Sequence, residues 1–155
     1  MNYDNDIVAQ LRGLTENLRS IPWSGWYCFN FRGYMMAYIP DDGSSILRFC
    51  IPHFGSMHDY NQDAIINAIN ETNREVKYVK VSTLQSGAIV LNYDHKLAGE
   101  ENMKLLVIHI LTALFHAAEH LKRKIFQKNY GSRSKKGEFL RFELNHNALN
   151  RKPQK

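Results

Sequence analysis

Ile46-Leu47-Arg48-Phe49-Cys50-Ile51-Pro52-His53-Phe54 is the stretch on which the fold turns. The turn formers Asp41-Asp42-Gly43-Ser44-Ser45 come just before it, and Pro52 is expected to end it. A short run of apolar and β-preferring residues between turn signals reads as a strand over 46–51. Alternation places Leu47, Phe49 and Ile51 on one face and Ile46, Arg48 and Cys50 on the other. The stretch is read as the central strand of a single sheet.

Two more strands precede it. Residues 26–32 carry Tyr27, Phe29 and Phe31 on one face, and Gly33 turns the chain. Residues 34–39 alternate Met35, Ala37 and Ile39 against Tyr34, Met36 and Tyr38. Short links make these three strands an antiparallel meander. Upstream, Ile7, Val8, Leu11, Leu14 and Leu18 recur at helical spacing, which predicts an amphipathic helix over 6–19. Downstream, 52–58 reads as a loop. A helix capped by Asp59 or Asn61 runs to about 73, strands follow over 76–82 and 88–93, and a long helix spans about 101–129.

The order α-β-β-β-α-β-β-α predicts a two-layer α+β domain: one mainly antiparallel five-stranded sheet with helices on one face. The helix-covered face would hold Phe29, Phe31, Met35, Ile39, Leu47, Phe49, Ile51, Val79, Val81, Ile89 and Leu91. The other face would present Trp26, Tyr34, Met36, Tyr38, Arg48 and Tyr78, residue types enriched in interfaces, and these six are the candidate partner-binding residues. The competing readings are that aromatic residues simply favour strands, or that 139–144 folds back over that face.

Composition narrows the class. The chain has 155 residues, suited to one domain, and 44% are hydrophobic, enough to fill a core. The polar, acidic start lacks the pattern of a secretory signal, and the most apolar window, 105–118, is interrupted by His109, Thr112 and His116 and reads as too short to cross a membrane. Cys28 and Cys50 have no metal-type spacing. They would share a sheet face with one strand between them, ~10 Å apart and too far for a disulfide. Free thiols point to the cytoplasm.

Charge divides the chain. Residues 122–155 hold eleven Lys/Arg and two Glu, a balance of +9, whereas 1–121 hold nine Lys/Arg and thirteen Asp/Glu, a balance of −4. The division of domains follows: 1–130 as the α+β domain and 131–155 as a basic, partly disordered tail. The tail suggests an alternative function, nucleic-acid binding, with Lys124, Lys128, Arg133, Lys135 and Lys136 on phosphates and interleaved aromatics on bases. The competing view is a solvated helix end and a soluble tail.

Leu47-Arg48-Phe49 with Pro52-x-Phe54, then Ala68-x-Asn70-x-x-Asn73, then Lys77-x-Val79-Lys80-Val81, resembles the YbjN-type group of putative sensory transduction regulators. That group is similar to the class I type III secretion chaperones. The resemblance covers roughly 7–128 and implies the same element order, homodimers and non-catalytic binding of protein clients. The basic tail lies outside its pattern. Asn70 and Asn73 are expected to close the second helix.

Chemistry has one candidate, His116-Ala117-Ala118-Glu119-His120, which matches the inverted zinc-peptidase pattern H-x-x-E-H. Two His four residues apart can share a zinc ion, with the Glu as base, giving a remote alternative as a zinc hydrolase. The pair lies with His109, Thr112, Arg123 and Gln127 on a polar stripe, which predicts a solvated helix face. Loop histidines His53, His58 and His95 read as polar surface. There is no nucleophile elbow and no phosphate loop. The expectation is a non-enzymatic, chaperone-like or regulatory protein-binding module, a cytoplasmic homodimer without cofactor or metal.

Overall fold

The computed structural model describes residues 3–41 and 43–131. The expectations for Arg133, Lys135, Lys136, the Lys128 side chain and 139–144 lie outside the described residues.

The chain is α+β, and its described residues form three α-helices and one antiparallel sheet. The elements are α1 (Asp4–Leu14), β1 (Glu16–Ile21), β2 (Trp26–Phe31), β3 (Tyr34–Ile39), β4 (Ile46–Ser56), a 3-10 turn (Met57–Asp59), α2 (Gln62–Glu75), β5 (Lys80–Thr83), β6 (Ala88–Lys96) and α3 (Met103–Gly131). The strand order is β1-β2-β3-β4-β6-β5, so β4 is an interior strand, as its sequence suggests.

The sheet has six strands rather than five, because the first helix ends early. Thr15 is extended, and both its backbone N–H and its hydroxyl donate to the Leu11 carbonyl, closing α1. The chain then enters β1 through a bulge, with Asn17 at a φ of 57°. Leu18 still packs against the core, but from a strand. A bulged strand after a three-turn helix reproduces the helical spacing of Leu18.

β4 also runs past Pro52. A register shift between Ile51 and Gly55 absorbs the proline, and pairing with β6 resumes at Gly55–Ile89. Proline is tolerated in a strand where the ladder is broken by a bulge. Most of the expected loop at 52–58 is therefore strand.

The core lies between the sheet and the helices. Ile7 and Leu11 of α1, Ile65 and Ala68 of α2, and Val107, Ile110, Leu111, Leu114, Ala117, Ala118, Leu121 and Ile125 of α3 are buried against it. The α3 positions recur every three or four residues and form one stripe. By length and composition, Met103–Gln127 is apolar enough to cross a membrane, so the expectation of too short a window does not hold. That stripe faces the sheet, while Lys104, His109, His116 and Arg123 are exposed, as on a core helix.

Asn73 differs from expectation in mechanism. α2 continues past it to Glu75. Its amide reaches the edge strand β5, with Nδ2 donating to the Val81 carbonyl at 2.9 Å and Oδ1 accepting from the Val81 N–H at 2.7 Å. Asn70 is exposed.

Candidate functional site

The two sheet faces differ in what covers them. Every helix residue in the buried clusters belongs to the inner core. The outer face has its own small cluster, Cys28, Ala37, Cys50 and Val90, bordered by Ile21, Trp26 and Ile39, and it contains no helix residue. Among the described residues, no helix packs on it.

Pairing decides which residues stand there. The link from β2 to β3 is the two-residue turn Arg32-Gly33, with φ of 47° and 87°. Phe31 therefore pairs with Tyr34, Phe29 with Met36 and Tyr27 with Tyr38. Directly paired residues share a face. Tyr34, Met36 and Tyr38 thus lie on the inner face, and Met35, Ala37 and Ile39 on the outer one. This reverses the expectation for β3. Counting Gly33 alone as the turn shifts the parity by one residue, and a one-residue slip moves a whole strand's side chains to the other face. Two consecutive positive φ values, with Gly second, mark a tight hairpin turn, so Arg32-Gly33 carried the signal.

Three of the six candidate partner residues consequently face the core, two of them fully within it. Met36 is fully buried. Tyr38 is buried too, between the Tyr27 and Phe49 rings, and its hydroxyl donates to the Asp4 carboxylate at the start of α1. Tyr34 donates to Glu119 Oε2 at 2.6 Å, meets the Phe115 ring edge-on, and carries Lys122 Nζ over its ring at 4.8 Å. Burial, then the hydrogen bond to Glu119, raises the Tyr34 pKa. Tyr34 fastens β3 to α3.

The other three remain at the surface. Trp26 borders the outer cluster. Arg48 pairs across β4–β6 with Asp94, Nε to Oδ1 at 3.6 Å, both side chains about half exposed. Tyr78 is not in a strand. It precedes β5 at a φ of 71°, is 68% exposed, stacks on Tyr93 at 5.8 Å and meets His109 edge-on at 5.3 Å. Ile39, Arg48, Phe49, Tyr78, Lys80, Asn92 and Asp94 line a pocket of about 470 Å³ at this end of the sheet.

Two surface residues run against their sequence pattern. Alternation puts Met35 inside, yet it is exposed on the outer face. Trp23, in the turn joining Ile21 to Trp26, is 87% exposed. A tryptophan within a Ser-Gly turn has few neighbours to cover it, and that is a readable signal.

The zinc-type motif is drawn apart by packing. Glu119 accepts from Tyr34. His120 Nε2 lies 2.8 Å from Glu75 Oε2 and, facing a carboxylate, must carry the proton there. Lys124 reaches the same carboxylate at 3.1 Å and Glu71 at 3.6 Å, and these hydrogen bonds from Lys124 and His120 lower the Glu75 pKa. His116 remains on the exposed side with His109. Among the described residues, no three His, Cys, Asp or Glu side chains stand where one ion could join them. Lys124, a candidate phosphate contact, is engaged with two carboxylates that join α3 to α2.

Cys28 and Cys50 flank Ala37 in one row across three strands and are free thiols. Burial, with Cys28 and Asp94 adding, pushes the Cys50 thiol up to about 12, so the thiolate needed for reactivity is suppressed.

No protein-family model matches the chain, and no curated protein matches it.

Proposed function

We propose that this is a non-enzymatic protein-binding module, chaperone-like or regulatory, whose outer sheet face docks a second copy or an extended client segment. The observation that carries the reading is the outer face itself. Ile21, Trp26, Met35 and Ile39 surround a floor of small residues, and no described helix packs over them. An apolar face left open in this way is the usual mark of an interaction surface. The groups best suited to chemistry support the same reading: Glu119, His120 and Glu75 are engaged in holding α3 to β3 and α2. The resemblance to YbjN-type regulators and secretion chaperones adds a weaker reason, and two buried free thiols suit the cytoplasm.

Light scattering on the full chain should give a dimer. Trp26→Lys and Ile39→Lys should give monomers with unchanged circular dichroism, since both positions border the outer cluster and take no part in the inner core. A monomeric wild type that captures the same proteins from native extract as Trp26→Lys would sink the proposal.

A further inference from the structure

We infer that the pocket at the β5 end of the outer face receives a carboxylate side chain from an extended partner segment with apolar neighbours. The inference rests on the outer face being the docking surface and names the chemistry of what docks there.

The pocket combines cations with apolar walls. Arg48 and Lys80 lie on β4 and β5, on either side of β6, and their pairing partners Asp94 and Asn92 are two residues apart on that strand. Strand spacing and rise put their Cα atoms about 12 Å apart, a gap that two long side chains can close over one carboxylate. Arg48 meets Asp94 through Nε at 3.6 Å, which is too long for a good hydrogen bond. The outer edge of its guanidinium is a fork suited to a second carboxylate. Asp94 offsets one of the two cations, so the pocket carries a net single positive charge. Residues 1–121 carry −4 in total, which makes this a local positive site on an acidic body.

The walls supply the apolar part. Ile39, Phe49 and Tyr78 are its apolar lining residues. A tyrosine at a φ of 71° is strained, and stacking on Tyr93 together with the His109 contact holds it there. Its ring packs on Tyr93 of the inner core and His109 of α3, so Tyr78 stands at the edge of the sheet beside the pocket, largely exposed. About 470 Å³ holds an acidic side chain together with part of the residue beside it. Asn92 on the floor can donate to a carboxylate as well. Charge complementarity therefore selects an acidic rather than a basic segment, and Ile39 with the adjoining apolar strip selects apolar flanking residues.

The test uses two peptides, acetyl-Ile-Glu-Phe-amide and acetyl-Ile-Gln-Phe-amide, titrated into the ¹⁵N-labelled full chain. The acidic peptide should shift the amides of Arg48, Lys80, Asn92 and Asp94 saturably, and bind about fivefold more tightly than the neutral one. That difference should vanish in Arg48→Met and in high salt. Both substitution sites are exposed, so Arg48→Met and Lys80→Gln leave the fold intact. Equal binding of both peptides along Trp26 and Ile39 would overturn the carboxylate assignment and leave the outer-face reading standing. No shift from either peptide would overturn it as well, with the Trp26→Lys oligomer measurement judging the outer face separately. If Lys80→Gln alone turned a wild-type dimer into monomer, the occupant would be the second copy, which also overturns the partner-segment assignment.

Discussion

Asn73 shows how much one side chain can decide. Among the described residues the edge strand β5 pairs only with β6, so the Val81 N–H and C=O on its other side would otherwise offer a template for another strand. The Asn73 amide satisfies both. Asn73→Ala removes both hydrogen bonds and should cost about 1–2 kcal/mol, the typical net worth of such a pair. Chemical denaturation should show the lower midpoint, and hydrogen exchange should show weaker protection at Val81. Unchanged Val81 protection would mean that water replaces the amide without penalty. Residue type and spacing mark Asn73 as structural from the sequence, but its partner lies on another element, beyond the reach of a helix-end argument. Arg48 is similar: alternation puts it on the outer face, while only the β4–β6 register shows Asp94 opposite it.

At the scale of elements, the junctions carry the polar interactions. Glu101 closes the link from β6 to α3. Its carboxylate accepts from the Ala98 N–H at 2.6 Å and the Gly99 N–H at 2.7 Å, and lies 3.2 Å from His95 Nε2. The Ala98 hydrogen bond first, with His95 and Gly99 adding, lowers its pKa from 4.5 to about 2. A carboxyl that is harder to protonate when folded stabilises the fold above its unfolded pKa and ceases to do so as pH falls through its folded one. Glu101→Gln should therefore have a lower urea midpoint than wild type at neutral pH. The gap should narrow between pH 4.5 and about 2 and be gone below that. A gap independent of pH would show that the amide loses something other than the carboxylate's charge. The other edge of the sheet is blunted differently, by the bulge in β1 and by Arg19 donating to the Asn17 carbonyl at 3.1 Å. Both devices make an edge a poorer template for pairing with another strand.

For the whole molecule, the question is which side of the sheet is inside. Tyr38 and Met35 lie on one strand, three residues apart, and point to opposite faces. Tyr38→Lys places an ammonium among Tyr27, Phe49 and Asp4 at a buried site, and should destabilise by more than about 3 kcal/mol. Met35→Lys, at a position 39% exposed on the outer face, should change stability by no more than about 0.5 kcal/mol. Thermal melts of the two variants check the pair directly. The reverse ranking would restore the β3 orientation expected from the sequence.

Local patterning was enough to establish the α+β class, the interior position of 46–51, the inner face of Leu47, Phe49 and Ile51, and the separation of Cys28 from Cys50. Each of these follows from periodicity and turn chemistry within single elements, taken together with their order along the chain. The tertiary structure decided the rest: the parity of β3, the assignment of 16–19 to an edge strand instead of the first helix, the continuation of β4 beyond Pro52, and the partners of Arg48, Asn73, Glu119 and His120. These depend on register and packing between segments distant in the chain. A one-residue difference in a turn leaves the local pattern unchanged yet exchanges the faces of a strand, and that is why the outer face of β3 carries Met35, Ala37 and Ile39 instead of Tyr34, Met36 and Tyr38.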